Sequence, residues 1–539
     1  MLSLSSLAQP LTEWRALLGA DQVLEAPAAT GRYAIDTSRF GRRIGAALKV
    51  RERGHIPAIL RIAQRHRTPL YTISRGNNWG YGTANPVVDG AVIVDLSALD
   101  RIVAFDADAG TVTLEPGVSQ RQLAEYLAER RLPFMVPVTG AGPDGSLLGN
   151  ALERGYGITP LQDHFGAMRG LRAFLADGSE YRGALAELGA EAATSFKWGI
   201  GPYLDGLFAQ AGFGIVTEMT IALARRPDEL TAFFFWLDDE AKLDGAVTAV
   251  REVIRQVGGN LGGINLMNSV RLLAMESPYP FDQVAPGGAL APDELRELTR
   301  QIGVSAWMGA GAIYGTREVT KAVAQVVKRL LKPHAARMVF FNRTLVSRID
   351  RISALLPERA LRGARATVAR MSAGLKLLDG YPSTMALPLA YWKRPGARPE
   401  TAHHPAKDGC GLLWYSPLVP MKPERIRAFL GAARQVMSEH RFEPLITLTS
   451  LSDGVFDSTM PILFDGRDAA ATRRAEACYR ALFAAGQALG FVPYRMPVQL
   501  MDLVVDKQKQ SWEMVRRLKR AVDPANILSP GRYAPLDLD

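Results

Sequence analysis

Apolar residues recur along this chain at two spacings, and the changes from one spacing to the other mark out its elements. In PAILRIAQRH, residues 57–66, apolar side chains stand three and four apart and predict a helix. The compact runs PLYTIS and AVIVDL that follow are bounded by Gly-rich turns and predict strands. A mixed α/β unit is therefore expected from Ile56 to Leu96. A second set of strands and turns runs from Thr111 to about Leu223, closing on an alternating strand in which Ile215, Thr217, Met219, Ile221 and Leu223 share one face. Arg225-Arg226-Pro227 breaks the pattern. Beyond it Val247, Val250, Ile254 and Val257 line one helical face, and TAFFFWL and ARMVFFN have strand character, so a second α+β region is expected. Arg394–Asp408, rich in Pro, Gly, His and charge, reads as a surface loop or lid.

Composition narrows the class. With 539 residues, 47% hydrophobic and 22% charged, the chain can bury a large core, and that length predicts two domains rather than one. The apolar clusters Phe233–Leu237 and Met338–Phe341 fall far short of the about 20 residues a membrane-spanning helix needs, so no membrane partner is expected. The opening MLSLSSLAQPLTEW lacks a basic start and a long apolar core, which points to the cytoplasm. Cys410 and Cys478 suit structural thiols better than a disulfide scaffold or zinc cluster. The net charge of +10 is dispersed, and its densest group, Arg516, Arg517, Lys519 and Arg520, reads as the solvated side of a helix that buries Val515, Leu518 and Val522. No nucleic-acid partner is expected. His403-His404 has no acidic or cysteine partner at ligand spacing, so no metal is expected either.

The chemistry is concentrated in TISRGNNWGYGTANP, residues 72–86, where Gly76, Gly80 and Gly82 stand among small polar residues after an apolar run. Glycines let a backbone come close to a ligand and turn several N–H groups toward it, so the segment suits a diphosphate cradle; a turn-rich connection would use the same residues. It matches neither the Walker pattern nor GxGxxG.

In this segment the sequence resembles the flavoproteins of the vanillyl-alcohol oxidase and p-cresol methylhydroxylase family, and the resemblance continues in order through TLEPGVSQRQLAEYL, LLGNALERGYGITPLQDHF, KWGIGPYLDGLFAQAGFGIVTEM, GAIYGTREV, WYSP, PYRMPVQLMD and RAVDPANILSPGR. It implies an α+β fold: a two-part FAD-binding domain of the p-cresol methylhydroxylase type, residues 1–225 and a C-terminal segment 500–539, around an α+β substrate cap, 226–499. It also implies FAD, cradled by Ser74, Arg75, Gly76, Asn77 and Asn78, with Gly149, Asn150, Arg154 and Gly155 as a second wall, Gly214 and Ile215 nearby, and Arg532 closing the site. Its catalytic trio falls on Tyr81, Tyr494 and Arg495, two hydroxyls and a guanidinium able to hold a phenol as its phenolate. The implied reaction is oxidation of a 4-alkylphenol or 4-hydroxybenzyl alcohol, by hydride transfer from the benzylic carbon to flavin N5 through a quinone methide. Oxygen or a redox protein is the implied acceptor, and a homodimer the implied assembly.

Three departures qualify the resemblance. The family's acidic residue before the GN turn falls on Ala141, and Asp144 substitutes for it only if the loop bends differently. The paired histidines of the histidine-linked members are replaced by Asp457 and Ser458, which excludes a histidyl flavin bond there. Tyr391, within one residue of the tyrosyl-link position, reads as a core aromatic or as that link, so dissociable FAD is expected. His164 reads as a fold residue. Two other readings stay open: a flavoenzyme acting on a hydroxy acid or non-phenolic alcohol, against which the trio argues, and a flavin-binding protein without catalysis, which Ala141 motivates.

Overall fold

The computed structural model describes residues 7–537 apart from 286, 355–368, 370 and 401–402. Its strands form three sheets flanked by helices. A 4-stranded sheet runs in the order Val23–Glu25, Ala46–Lys49, Val92–Asp95, Leu70–Ile73, its last three strands parallel. Parallel strands covered on both faces are largely apolar, as VIVD and LYTI are apart from Asp95 and Thr72. The helix Ile56–Arg65 starts with Pro57 in its first turn and buries Ile59, Leu60, Ile62 and Ala63 among Leu70, Val92 and Val94.

The 5-stranded antiparallel sheet has Ile215–Ala222 at its centre, paired to Thr111–Leu114 and Met168–Phe174. The one-sided alternation expected of this strand does not hold, because seven of its eight residues are buried. Ile215 packs with Val92 and Val94 of the first sheet, while Val216, Met219 and Ile221 pack with Val112 and Leu123.

An 8-stranded antiparallel sheet holds the largest core. The helices Leu243–Val257, Arg317–Leu331, Pro423–Glu439 and Ala469–Ala488 contribute buried side chains to the same cluster as Leu266, Leu448, Phe456, Met460, Ile462, Leu413 and Tyr415. Side chains alternate across a strand, so the intervening residues Asn265, Thr447, Thr449, Asp457, Thr459, Leu412 and Trp414 face the opposite way. That second face looks into the candidate site.

The chain end returns to the first sheet: Leu70 N–H donates to the Ile527 carbonyl at 2.7 Å and Ser529 N–H to the Leu70 carbonyl at 2.8 Å. Here one expectation is corrected. Lys519 is not part of a solvated basic face; its side chain is 1% exposed and donates to Asp523 at 2.7 Å, to the Leu528 carbonyl at 2.6 Å and to the Gly212 carbonyl. A helix docked on one side can bury a lysine if every ammonium proton finds an acceptor, and these three acceptors satisfy it. The segment Arg394–Asp408 is exposed at Gly396–Arg398 as expected, but Pro405 and Ala406 are buried and Pro405 reaches the cavity wall. No helix among the described residues is long and apolar enough to cross a membrane, and no described cluster of His, Cys, Asp and Glu suits a metal ion.

Candidate active site

A cavity of about 520 Å³ opens between the Gly-rich loop, the turn at 138–158 and the polar face of the 8-stranded sheet. Ser74, Arg75, Gly76, Asn77, Asn78, Gly149, Asn150, Gly155, Gly214 and Arg532 all line it, and so do Tyr81, Tyr494 and Arg495. Two expected cofactor contacts stand elsewhere. Arg154 is exposed and has a positive φ of 52°, which turns its side chain off the wall; Ile215 is fully buried behind it, and Val216 lines the cavity in its place.

The loop is shaped to present backbone. Arg75 donates through Nε to the Asp144 carbonyl at 2.8 Å and through Nη1 to the Gly117 carbonyl at 3.0 Å, so its guanidinium anchors the loop to the neighbouring turn. Gly76 has φ 68°, a conformation that favours glycine. None of the described residues accepts a hydrogen bond from the N–H of Arg75, Gly76 or Asn77. On the facing wall, a Cβ at Gly149 would come within 2.9 Å of Ser74 Oγ, and one at Gly155 within 2.0 Å of Asn150 Oδ1. Free N–H groups on one side and walls stripped of side chains on the other fit the diphosphate of FAD. Arg532 continues this wall, donating to the Tyr71 hydroxyl at 2.7 Å and pairing with Glu153.

At the other end the trio meets. The Arg495 guanidinium lies over the Tyr81 ring, 4.2 Å from its centroid, pairs with Glu153 at 3.3 Å and donates to Asn78. Gly80 lets the loop pack closely on Trp414, since a Cβ there would meet that ring at 2.2 Å. The Tyr81 hydroxyl shares a 2.9 Å hydrogen bond with Ser416, and the Tyr494 ring packs edge-on against Tyr156 at 5.4 Å between centroids. Burial lifts the Tyr81 hydroxyl to a pKa of about 12 against the lowering charge of Arg495, and holds Tyr494 well above the usual tyrosine value. Both phenols stay protonated as hydrogen-bond donors.

Sequence reading missed a fourth member. Asp457 is buried on the same wall, and its charge acts on Tyr81 and Tyr494 while Arg495 acts on it. Burial raises its pKa to about 7, opposed by a 3.2 Å hydrogen bond from Thr459 and by the Arg495 charge; its second oxygen, Oδ1, has no protein partner among the described residues. The signal was present: a carboxylate stands where the histidine-linked members carry histidine. Ala141 does line the cavity, whereas Asp144 turns outward to Arg121 at 3.2 Å and supplies no base. Tyr391 is buried outside the lining, its hydroxyl donating to Asp408 and its ring 5.3 Å from His403. His164 bonds Asn150 at 2.5 Å, and burial lowers it to about 4, so it stays neutral.

Comparison with known proteins converges on one group. Residues 45–183 match the family model described as FAD binding domain, and residues 503–533 match FAD linked oxidases, C-terminal domain. The chain is 33% identical to a 1'-carboxy-chondrochloren decarboxylase of Chondromyces crocatus, over 98% of this chain and 97% of the relative. It is 27% identical to the flavoprotein subunit of 4-cresol dehydrogenase [hydroxylating] of Pseudomonas putida, over 96% and 94%. The crystal structure of p-cresol methylhydroxylase with substrate bound superimposes with a TM-score of 0.87 at 25% identity, covering 99% of this chain and 98% of the other. A 4-ethylphenol oxidase from Gulosibacter chungangensis shares the fold at a TM-score of 0.87 and 23% identity, over 99% and 98%.

Proposed function

The chain belongs to the vanillyl-alcohol oxidase and p-cresol methylhydroxylase family of FAD-dependent oxidoreductases, and from that premise we propose that it oxidises a para-substituted phenol, a 4-alkylphenol or 4-hydroxybenzyl alcohol, at the benzylic carbon. The observation that carries this reading is the meeting of Arg495, Tyr81 and Tyr494 beside the buried carboxylate of Asp457 on one cavity wall.

A free phenol has a pKa near ~10, so ionising it at neutral pH requires help. Arg495 supplies the cation and the two tyrosyl hydroxyls supply donors, which favour the phenolate by charge and by hydrogen bonding. Asp457 takes the phenolic proton through its unpartnered oxygen. Negative charge on the ring then pushes electron density toward the benzylic position and assists loss of hydride, leaving a quinone methide that water or an existing hydroxyl resolves to alcohol or aldehyde. FAD, held by the Gly-rich loop and the wall at Gly149 and Gly155, supplies the two-electron acceptor when bound. Buried walls around Tyr81 and Tyr494 keep bulk water from the ionised ring.

The same reading assigns residues 1–225 and 500–539 to the FAD-binding part and 226–499 to the cap. It takes the FAD as dissociable, because the Tyr391 hydroxyl is engaged by Asp408. It also includes oxygen or a redox protein as the final acceptor and a homodimer, which rest on the family resemblance. The deciding experiment is anaerobic mixing of the flavin-loaded protein with 4-ethylphenol and with its methyl ether. Rapid bleaching by the phenol alone is expected; equal rates for both would refute the phenolate clamp and favour oxidation of a non-phenolic alcohol.

A further inference from the structure

Besides Arg75, Arg495 and Arg532, the cavity is lined by a fourth arginine that none of the foregoing chemistry employs. Arg271 stands in the first turn of the helix Ser269–Glu276, directly after the strand Asn265–Asn268, and lines the same cavity as Tyr81, Tyr494 and Arg495. Its direction is set by the helix start: Asn268 caps that helix, accepting the Arg271 N–H at 2.9 Å, while Asn268 Nδ2 donates to the Pro444 carbonyl at 2.8 Å. The residue as a whole is half-buried, but its Nε and Nη1 atoms are shut off from solvent and have no hydrogen-bond partner among the described residues. No described carboxylate pairs with it either, in contrast to Arg495 and Arg532, which share Glu153.

Such an arginine is costly. An uncompensated buried cation is among the least favourable groups a protein can carry, and burial alone drives this one down to about 10, with no neighbouring charge to oppose the shift. An arginine at that pKa is still charged at neutral pH, and Nη2, paired with Nε on one edge or with Nη1 on the other, completes a fork that matches the two oxygens of a carboxylate. Its surroundings extend the polar character: Asn265 Oδ1 and Thr447 Oγ1 are likewise buried without partners on the adjoining strands, and Thr449 lies across from both Asn265 and Asp457 in the register. Leu377, Leu387, Leu389, Leu412 and Trp414 add an apolar stretch to the same lining.

We propose that Arg271 is an anion-binding residue of the substrate pocket, and that the substrate is a para-substituted phenol whose side chain carries a carboxylate, held by Arg271 at that end and by Arg495 at the ring oxygen. The identity of the ring end rests on the phenol-oxidation reading; the anion site rests on Arg271 itself. A pocket with a cation and an apolar wall between two polar ends selects against neutral side chains by leaving the guanidinium unpaired and selects for an acid that satisfies it.

The test is calorimetric titration of the flavin-loaded protein with 3-(4-hydroxyphenyl)propanoate and with its methyl ester, for the natural chain, Arg271→Met and Arg271→Lys, alongside anaerobic flavin reduction by both. The natural chain is expected to bind the acid about 10- to 100-fold more tightly than the ester, the span of a charge-assisted hydrogen-bonded pair. That ratio should collapse to about one in Arg271→Met and recover in part in Arg271→Lys. Equal affinities for acid and ester in the natural chain, or a ratio unaltered by Arg271→Met, would overturn the proposal. Loss of FAD from both variants, measured by the flavin-to-protein absorbance ratio, would overturn it as well, since the arginine would then serve the cofactor. If the Arg271-dependent preference appears but neither compound bleaches the flavin, the phenol reading falls and the anion site stands.

Discussion

Asp457 gains its importance from where its two oxygens point. One accepts from Thr459, the other has no described donor, and burial holds the carboxyl near 7, on the border between its two protonation states in neutral solution. As a base it works only when ionised, so flavin reduction by a 4-alkylphenol should rise as pH climbs through about 7. In Asp457→Asn that limb should vanish and the rate fall by ~10²-fold or more; stopped-flow reduction from acid to alkaline pH reads both, and an unchanged profile would remove Asp457 from the proton path. Stability runs the other way. The folded-state pKa lies above the ordinary value of 3.8, so the fold favours the protonated form, and what Asp457 contributes is lost as pH rises through about 7. Asp457→Asn should accordingly melt higher than the natural chain in alkaline buffer. For Arg495, which lies 4.2 Å from the Tyr81 ring centroid, replacement by Ala removes the cation facing the phenolate, and the limiting rate of reduction should drop by ~10²- to 10³-fold. A rate within twofold of the natural chain would count against its assignment. Arg495 and the two tyrosines could be picked out from their motif slots, and Asp457 was marked only by standing where histidine-linked members carry histidine; Arg271 had no such mark. What sets both apart is desolvation and missing partners, which local sequence does not record.

Among elements, periodicity predicted well wherever one face dominates. The helix Leu243–Val257 buries Leu243, Ala246, Val247, Val250 and Val253, close to the face read from Val247, Val250, Ile254 and Val257. The strands Glu229–Leu237 and Arg337–Asn342 lie where TAFFFWL and ARMVFFN stand, paired with one another. Ile215–Ala222 failed the same reading, because a strand covered from both sides has no solvent face to alternate toward. The helix Gln510–Val522 failed at Lys519, whose ammonium ties that helix to the Gly212 and Leu528 carbonyls. Lys519→Ala should leave Asp523 without its cation in a dry site and cost about 3 kcal/mol. Denaturant unfolding checks the cost; the flavin-to-protein ratio checks whether the loosened tail, which carries Arg532, also releases the cofactor. A midpoint shift too small to resolve would mean that the Asp523 bonds to Ile527 and Leu528 suffice.

For the molecule as a whole, the cavity is built from all three levels of the chain order: an N-terminal Gly-rich loop, the face of a central sheet, and the tail bearing Arg532. The FAD it takes is expected to part from the polypeptide, since the Tyr391 hydroxyl is held by Asp408. Acid precipitation should leave a colourless pellet and a yellow supernatant, and colour retained in the pellet would establish a covalent link. By itself the sequence determined the class of fold and elements such as Ile56–Arg65, Leu243–Val257 and Glu229–Leu237, because these depend on periodicity and turn chemistry within short stretches of chain, while its resemblance to a known family implied the cofactor and the three proposed clamp residues. Only the tertiary structure decided that the Asp457 carboxylate is buried on the cavity wall with Tyr81, Tyr494 and Arg495, that Arg271 stands there without a described partner, and that Lys519 is a buried staple. Those are properties of burial and of partners brought from distant segments, and water exclusion exists only once the sheets and the tail have closed around the site.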